Sequence, residues 1–177
     1  MHRLFVALRP PPAMRKVLLD AMSGVSGARW QSEDQLHLTL RFIGEVDGRT
    51  AEDVAAALIG VTQPRPAITL DGIGTFERRG IVHTIFARAA ATEGLSALRG
   101  RINRALMSAG IAPEGRAFVP HVTLARLGRG GGPIAPMIER CAELTGDAAD
   151  IDAFLLYESH LGRDGATYDA VARYPLA

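Results

Sequence analysis

The chain has 177 residues, 47% of them hydrophobic and 22% charged, with a formal net charge of +1, which suits a globular fold able to bury a real core. A balance so near neutrality excludes a polybasic nucleic-acid binder, so any anion must be met by a few placed residues. Lys16 is the only lysine and Cys141 the only cysteine, which removes a P-loop, an intramolecular disulfide and a cysteine-built metal cluster, and suits a reducing, cytoplasmic setting.

Residues 3–8 (Arg-Leu-Phe-Val-Ala-Leu) read as a strand closed by Pro10, Pro11 and Pro12. This opening apolar run is too short for a signal peptide, and no stretch approaches the roughly 18 apolar residues of a membrane span. Met14, Val17, Leu18, Ala21 and Met22 then recur at helical spacing, with prolines tolerated in the first turn. A strand is expected at about 35–43, and Thr50 with Asp53 resembles a capping pair for a helix carrying Val54, Ala57, Leu58 and Val61. Strands at about 67–76 and 81–88 follow, joined by Arg78-Arg79-Gly80. A helix over about 93–109 ends at Gly110, and a strand is expected at about 117–127. Past the Gly128–Pro133 break, Ile134, Met137, Ile138, Cys141 and Leu144 mark another helix. Two strands, about 150–158 and 167–175, close the chain.

Two of these strands carry one signature, His37-Leu38-Thr39-Leu40 and His121-Val122-Thr123-Leu124. Residues two apart in a strand share a face, so each histidine projects with its threonine while the aliphatic residues point to a core. The surrounding elements repeat as well: helix, His-x-Thr strand, helix, strand, strand, over about 11–88 and again over about 93–175. The expectation is an α+β fold in a single bilobal domain, two similar lobes each made of a small, mostly antiparallel sheet backed by helices, with the site in the groove between them.

Imidazole titrates near pH 6.5, so one member of a facing pair can hold a proton while the other lacks one. Phosphodiester displacement needs such a base for the attacking water and such an acid for the departing oxygen. The threonine hydroxyls can donate to nonbridging phosphate oxygens. Neither motif offers a carboxylate or cysteine, so neither a metal nor a cofactor is expected.

With these motifs and their flanks the chain resembles the 2H phosphoesterases, and among them the RNA 2′,3′-cyclic phosphodiesterases, also called 2′-5′ RNA ligases. The resemblance runs through Arg3–Ala7, Leu36–Val46, Phe118–Arg126, Leu156–Ser159, Tyr168 and Arg173–Leu176. It implies hydrolysis of a terminal 2′,3′-cyclic phosphate to a 2′-phosphate, with His37 as proton donor to the 3′ oxygen and His121 as proton acceptor from water. Thr39, Thr123 and Arg126 would hold the phosphate, and the reverse reaction would join a cyclic end to a 5′-hydroxyl.

Strand parity conflicts with one part of this. Alternation places residue 125 on the His121 face, so Arg126 reaches the groove only through a bulge or the strand's end and is otherwise solvated. Arg41 shares the His37 face by parity, at the groove rim or on plain surface. His83 either stacks at the groove edge or sits half-buried in its strand. His2 and His160 read as surface, and Cys141 as core. The substrate is an RNA end or a small nucleotide such as an ADP-ribose cyclic phosphate, and a non-catalytic RNA-end-binding module is the contrasting reading. No membrane contact is expected, and no apolar segment demands a partner, so a monomer is anticipated.

Overall fold

The computed structural model describes residues 1–177. Its elements run β1 (His2–Leu8), α1 (Pro12–Ala21), β2 (Ala28–Trp30), a 3-10 turn (Glu33–Gln35), β3 (Leu38–Val46), α2 (Gly48–Ile59), β4 (Ala67–Ile68) and β5 (Leu70–Arg78). They continue with β6 (Ile81–Ala89), α3 (Glu93–Ser108), β7 (His121–Leu127), α4 (Ala135–Arg140), β8 (Ala149–Asp150), β9 (Ala153–Gly162) and β10 (Gly165–Pro175).

Local chemistry accounts for most boundaries. Prolines occupy the first turn of α1, where their missing N–H costs nothing. The cap of α2 is Asp47, whose carboxylate accepts from Thr50 N at 2.7 Å, in place of the expected Thr50–Asp53 pair. The helix starts one turn earlier than that pair implies, so Thr50 lies inside it and Asp47 just outside. Thr92 caps α3 in the same way, accepting from Leu95 N. Arg79 and Gly80 both take positive φ, 53° and 76°, as the two-residue turn between β5 and β6 requires. The helix expected over Ile134–Leu144 is shorter, Ala135–Arg140.

Eight strands form one sheet in the order β10-β9-β1-β3-β7-β6-β5, with β2 also on β7, while β4 and β8 pair separately. The β1, β3, β9 and β10 strands make one lobe, and β2, β5, β6 and β7 the other. Strands are exchanged between the two sequence copies: the His37 strand reaches the C-terminal hairpin through β1, and the His121 strand pairs with the β5–β6 hairpin. The lobes meet through a single strand pairing, Leu38 opposite Val122. Beyond it the chains separate, since β3 follows β1 while β7 follows β6 and β2. A groove opens where they part.

All four helices bury residues in one 33-residue cluster, among them Leu18, Leu58, Leu98 and Met137. Leu38 and Val122, both fully buried, point into this core, so the alternating His37, Thr39, His121 and Thr123 are left for the opposite, groove-bearing face. No helix is long and apolar enough to cross a membrane.

Because Leu38 fills the core at the lobe junction, Leu38→Ala should cost about 2–5 kcal/mol in urea unfolding. Leu161→Ala, at a position 70% exposed, should stay within about 0.5 kcal/mol. Equal effects would show that the junction is not a packed core position.

Candidate active site

His37 precedes β3 by one residue and His121 opens β7. The antiparallel Leu38–Val122 pairing sets His37 across from Thr123 and Thr39 across from His121. The two motifs therefore form one diagonal cluster about a local twofold.

Each imidazole is fixed in the same way. His37 Nδ1 lies 2.7 Å from the Gln35 carbonyl oxygen and His121 Nδ1 lies 2.7 Å from that of Val119. A carbonyl only accepts, so both Nδ1 atoms carry a proton and donate. This leaves Nε2 of each ring as the nitrogen free to take up or give a proton. Gln35 is itself held, because its side chain donates to Ala166 O and accepts from Ser32 N. That ties the 3-10 turn carrying His37 to the β9–β10 hairpin.

Aromatic rings set the ring planes and the polarity. Phe5 lies 4.9 Å and Tyr168 5.0 Å from His37, while Phe76 lies 4.9 Å and Phe86 5.0 Å from His121, centre to centre. Phe86 approaches so closely that a Cβ on Gly74 would fall 2.4 Å from its ring, so glycine is needed there to admit the ring against β5. Burial in these cages disfavours the imidazolium, lowering the His37 pKa to about 4, with the charges of His121 and Arg126 adding to the effect. The His121 pKa is lowered as well, first by burial and then by Arg126. In each ring the backbone carbonyl at Nδ1 opposes the shift.

The Arg126 conflict is resolved by a bulge. Ile85 pairs with Ala125 but Phe86 with Thr123, so Leu124 is unmatched on β7. Leu124 and Ala125 are both fully buried, and the alternation restarts with Arg126 on the groove side. Its guanidinium donates to Thr84 Oγ1 at 2.7 Å and lines the cavity that contains His37. The equivalent bulge in β3 leaves Leu40 unmatched. It turns Arg41 off the His37 face: the residue is not on plain surface but is buried where it borders the His121 cavity. The residue is 4% exposed, donates to Ala112 O and lies 3.8 Å from Glu114. Phe42 emerges instead, at the position matching Arg126.

The remaining candidates fall into place around the groove. Thr39 lines the cavities of both histidines, and Thr123 is half-buried on the His121 face of β7. His83 is exposed, with Nδ1 2.9 Å from Thr84 Oγ1, and it borders both cavities. His2 pairs with Glu158 and His160 with Asp169 at the surface, and Cys141 is in the core. Sequence pattern does not single out Gln35, Thr84 or the aromatic residues; the 3-10 capping box Ser32–Gln35 is the available signal for the first. Nowhere do three His, Cys, Asp or Glu side chains gather as a metal-binding group. What the groove can do is move a proton at each of two nitrogens beside a fixed guanidinium.

The LigT-like phosphoesterase family matches the chain twice, over residues 8–84 and 85–168. An RNA 2′,3′-cyclic phosphodiesterase of Aeropyrum pernix is 32% identical over 141 residues, 77% of this chain and 79% of that protein. One of Geobacillus stearothermophilus is 28% identical over 89% of this chain but only 50% of its own length. The chain thus spans about half of that relative. A crystal structure from Thermus thermophilus superposes with a TM-score of 0.80 at 25% identity, over 98% of this chain and 97% of that one. Matched twice and over most of its length, the chain belongs to the LigT-like phosphoesterases of the 2H superfamily.

Proposed function

We propose that the chain hydrolyses RNA 2′,3′-cyclic phosphate ends to 2′-phosphates without a metal ion. The observation that carries this reading is the matched pair of imidazoles, each with Nδ1 committed to a backbone carbonyl and Nε2 free in one groove. The names of the relatives support the substrate. His121 takes a proton from water as the water oxygen bonds to phosphorus. The bond from phosphorus to the 3′ oxygen breaks, and His37 gives that oxygen its proton. Thr39, Thr123 and Arg126 hold the phosphate oxygens as charge builds. By microscopic reversibility the same groups join a cyclic end to a 5′-hydroxyl. The sole, buried cysteine suits the cytoplasm.

Burial gives the acid role of His37 a condition. In the free site burial disfavours the charged form of both imidazoles, bringing the pKa of His37 down to about 4 and lowering that of His121 as well. An arriving phosphate anion favours the charged form and raises them. A proton loaded onto so desolvated a ring is then released readily, as a leaving alkoxide requires.

The decisive assay offers an RNA with a 2′,3′-cyclic end in EDTA. Wild type should turn over, and His37→Ala and His121→Ala should each lose about 10²–10⁴-fold in rate. Inhibition by EDTA would remove the metal-free mechanism, and two fully active variants would remove the site assignment. A cyclic mononucleotide used beside the oligonucleotide separates an RNA enzyme from one acting on small nucleotides, and binding without turnover would mark an RNA-end-binding module.

The pH dependence has a defined sign. The singly protonated pair is most populated between two pKa values that are lowered in the free protein and that a bound phosphate should raise. Since kcat/KM reports the free protein and kcat the complex, the kcat/KM optimum should lie on the acid side of the kcat optimum. Coincident optima would mean that bound phosphate does not control the two rings.

A further inference from the structure

A further bulge shapes the groove. The β5–β6 pairing runs Phe76 to Thr84 but Glu77 to Val82, which leaves His83 unmatched on β6. A bulged residue is released from strict alternation, and His83 Nδ1 lies 2.9 Å from Oγ1 of the next residue, Thr84, while the ring borders both histidine cavities. On its other flank Thr84 is the direct cross-strand partner of Arg126 in β7, and such partners share a face. One hydroxyl, on a residue 0% exposed, therefore meets an imidazole and a guanidinium.

Hydrogen-bonding capacity dictates where the protons sit. Arg126 Nη1 donates to Oγ1 at 2.7 Å, since a guanidinium has no acceptor. The hydroxyl has one proton of its own, and His83 Nδ1 is the acceptor within reach. A proton on Nδ1 would instead aim two donors at the oxygen and strand the hydroxyl proton in a buried position, which folded proteins avoid. His83 is thus the Nε2–H tautomer, the reverse of His37 and His121, whose Nδ1 atoms donate to carbonyls. By taking the hydroxyl proton it turns the oxygen lone pairs toward Arg126.

The arrangement fixes Arg126 without neutralising it. The residue is exposed, and an untethered arginine there would spread over many rotamers. Arg15 is held by Glu33, and Arg41 and Arg99 share Glu114, but no carboxylate lies within ion-pair distance of Arg126. A neutral acceptor engages one of the N–H groups and sets the plane of the fork, leaving the charge and the other donors for an oxyanion. On the function proposed above, on which this inference rests, that oxyanion is the substrate phosphate. We propose that Thr84 is a positioning residue whose hydroxyl, turned by His83, aims the Arg126 guanidinium at that phosphate.

The test combines kinetics on the cyclic-ended RNA with nitrogen NMR of the imidazoles. Thr84→Val keeps the side-chain shape without the hydroxyl and should lose about ten-fold in kcat/KM, the order of one hydrogen bond to a charged group. Thr84→Ser, which restores the hydroxyl, should recover most of that loss. In an Arg126→Ala background Thr84→Val should change nothing further, because the hydroxyl acts through the guanidinium. In the alkaline range, where imidazoles are neutral, His83 should carry its proton on Nε2, and His37 and His121 on Nδ1. An unimpaired Thr84→Val, or the same loss in the Arg126→Ala background, would overturn the positioning role. A proton on His83 Nδ1 would overturn the part given to His83. If wild type leaves the cyclic end intact, the underlying function falls instead, and the NMR result is independent of it.

Discussion

One strand pairing, Leu38 with Val122, organises the molecule. It is the only place where the two lobes share a strand ladder, and its twofold character sets both histidines and both threonines at once. The side chains of the pair anchor the core on one face, and the alternating residues emerge on the other. Because β3 and β7 leave this point along different neighbours, the sheet must open there. The groove is a consequence of the junction rather than a separate construction.

Around that point each lobe contributes an aromatic cage and a carbonyl clamp. The cages make the imidazoles hard to charge, and the carbonyls partly restore their basicity while fixing the tautomer. These effects differ in size: burial outweighs the hydrogen bond for both rings, and His37 is the more affected. Lowered basicity of both rings keeps two imidazolium charges from gathering in a space already holding Arg126. In the proposed function, substrate charge would then complete the protonation state.

The histidine–threonine cluster was legible in the sequence because the two motifs carry their own periodicity, and the helices and hairpin turn follow from local chemistry; the cages and clamps around it were not. What alternation could not give was the position of Arg126 and Arg41. Both depend on an unmatched leucine, Leu124 or Leu40, and a bulge is fixed by how neighbouring strands pair rather than by the residue that bears it. The short β2 strand and the 3-10 turn are hidden for a related reason. Strand β2 and the start of β3 both run along one edge of β7, interrupted where the chain loops out through the 3-10 turn that carries Gln35. The exchange of strands between the copies is likewise a property of pairing at long range.

That exchange also bears on how the chain comes to be folded. The first strand, β1, finds one neighbour in the nearby β3 but the other only in β9, beyond every helix. Pairings so distant in sequence are formed late, after the entropy of closing the loop has been overcome. The His37 side of the sheet therefore cannot close until β9 has been made. The His121 side, built from β5, β6 and β7, is available much earlier on the ribosome. A chain released short of β9 would display an open β1 edge, a template for pairing with other chains. Its interlaced duplication thus makes translation through the last hairpin a requirement for both an assembled groove and a protected sheet.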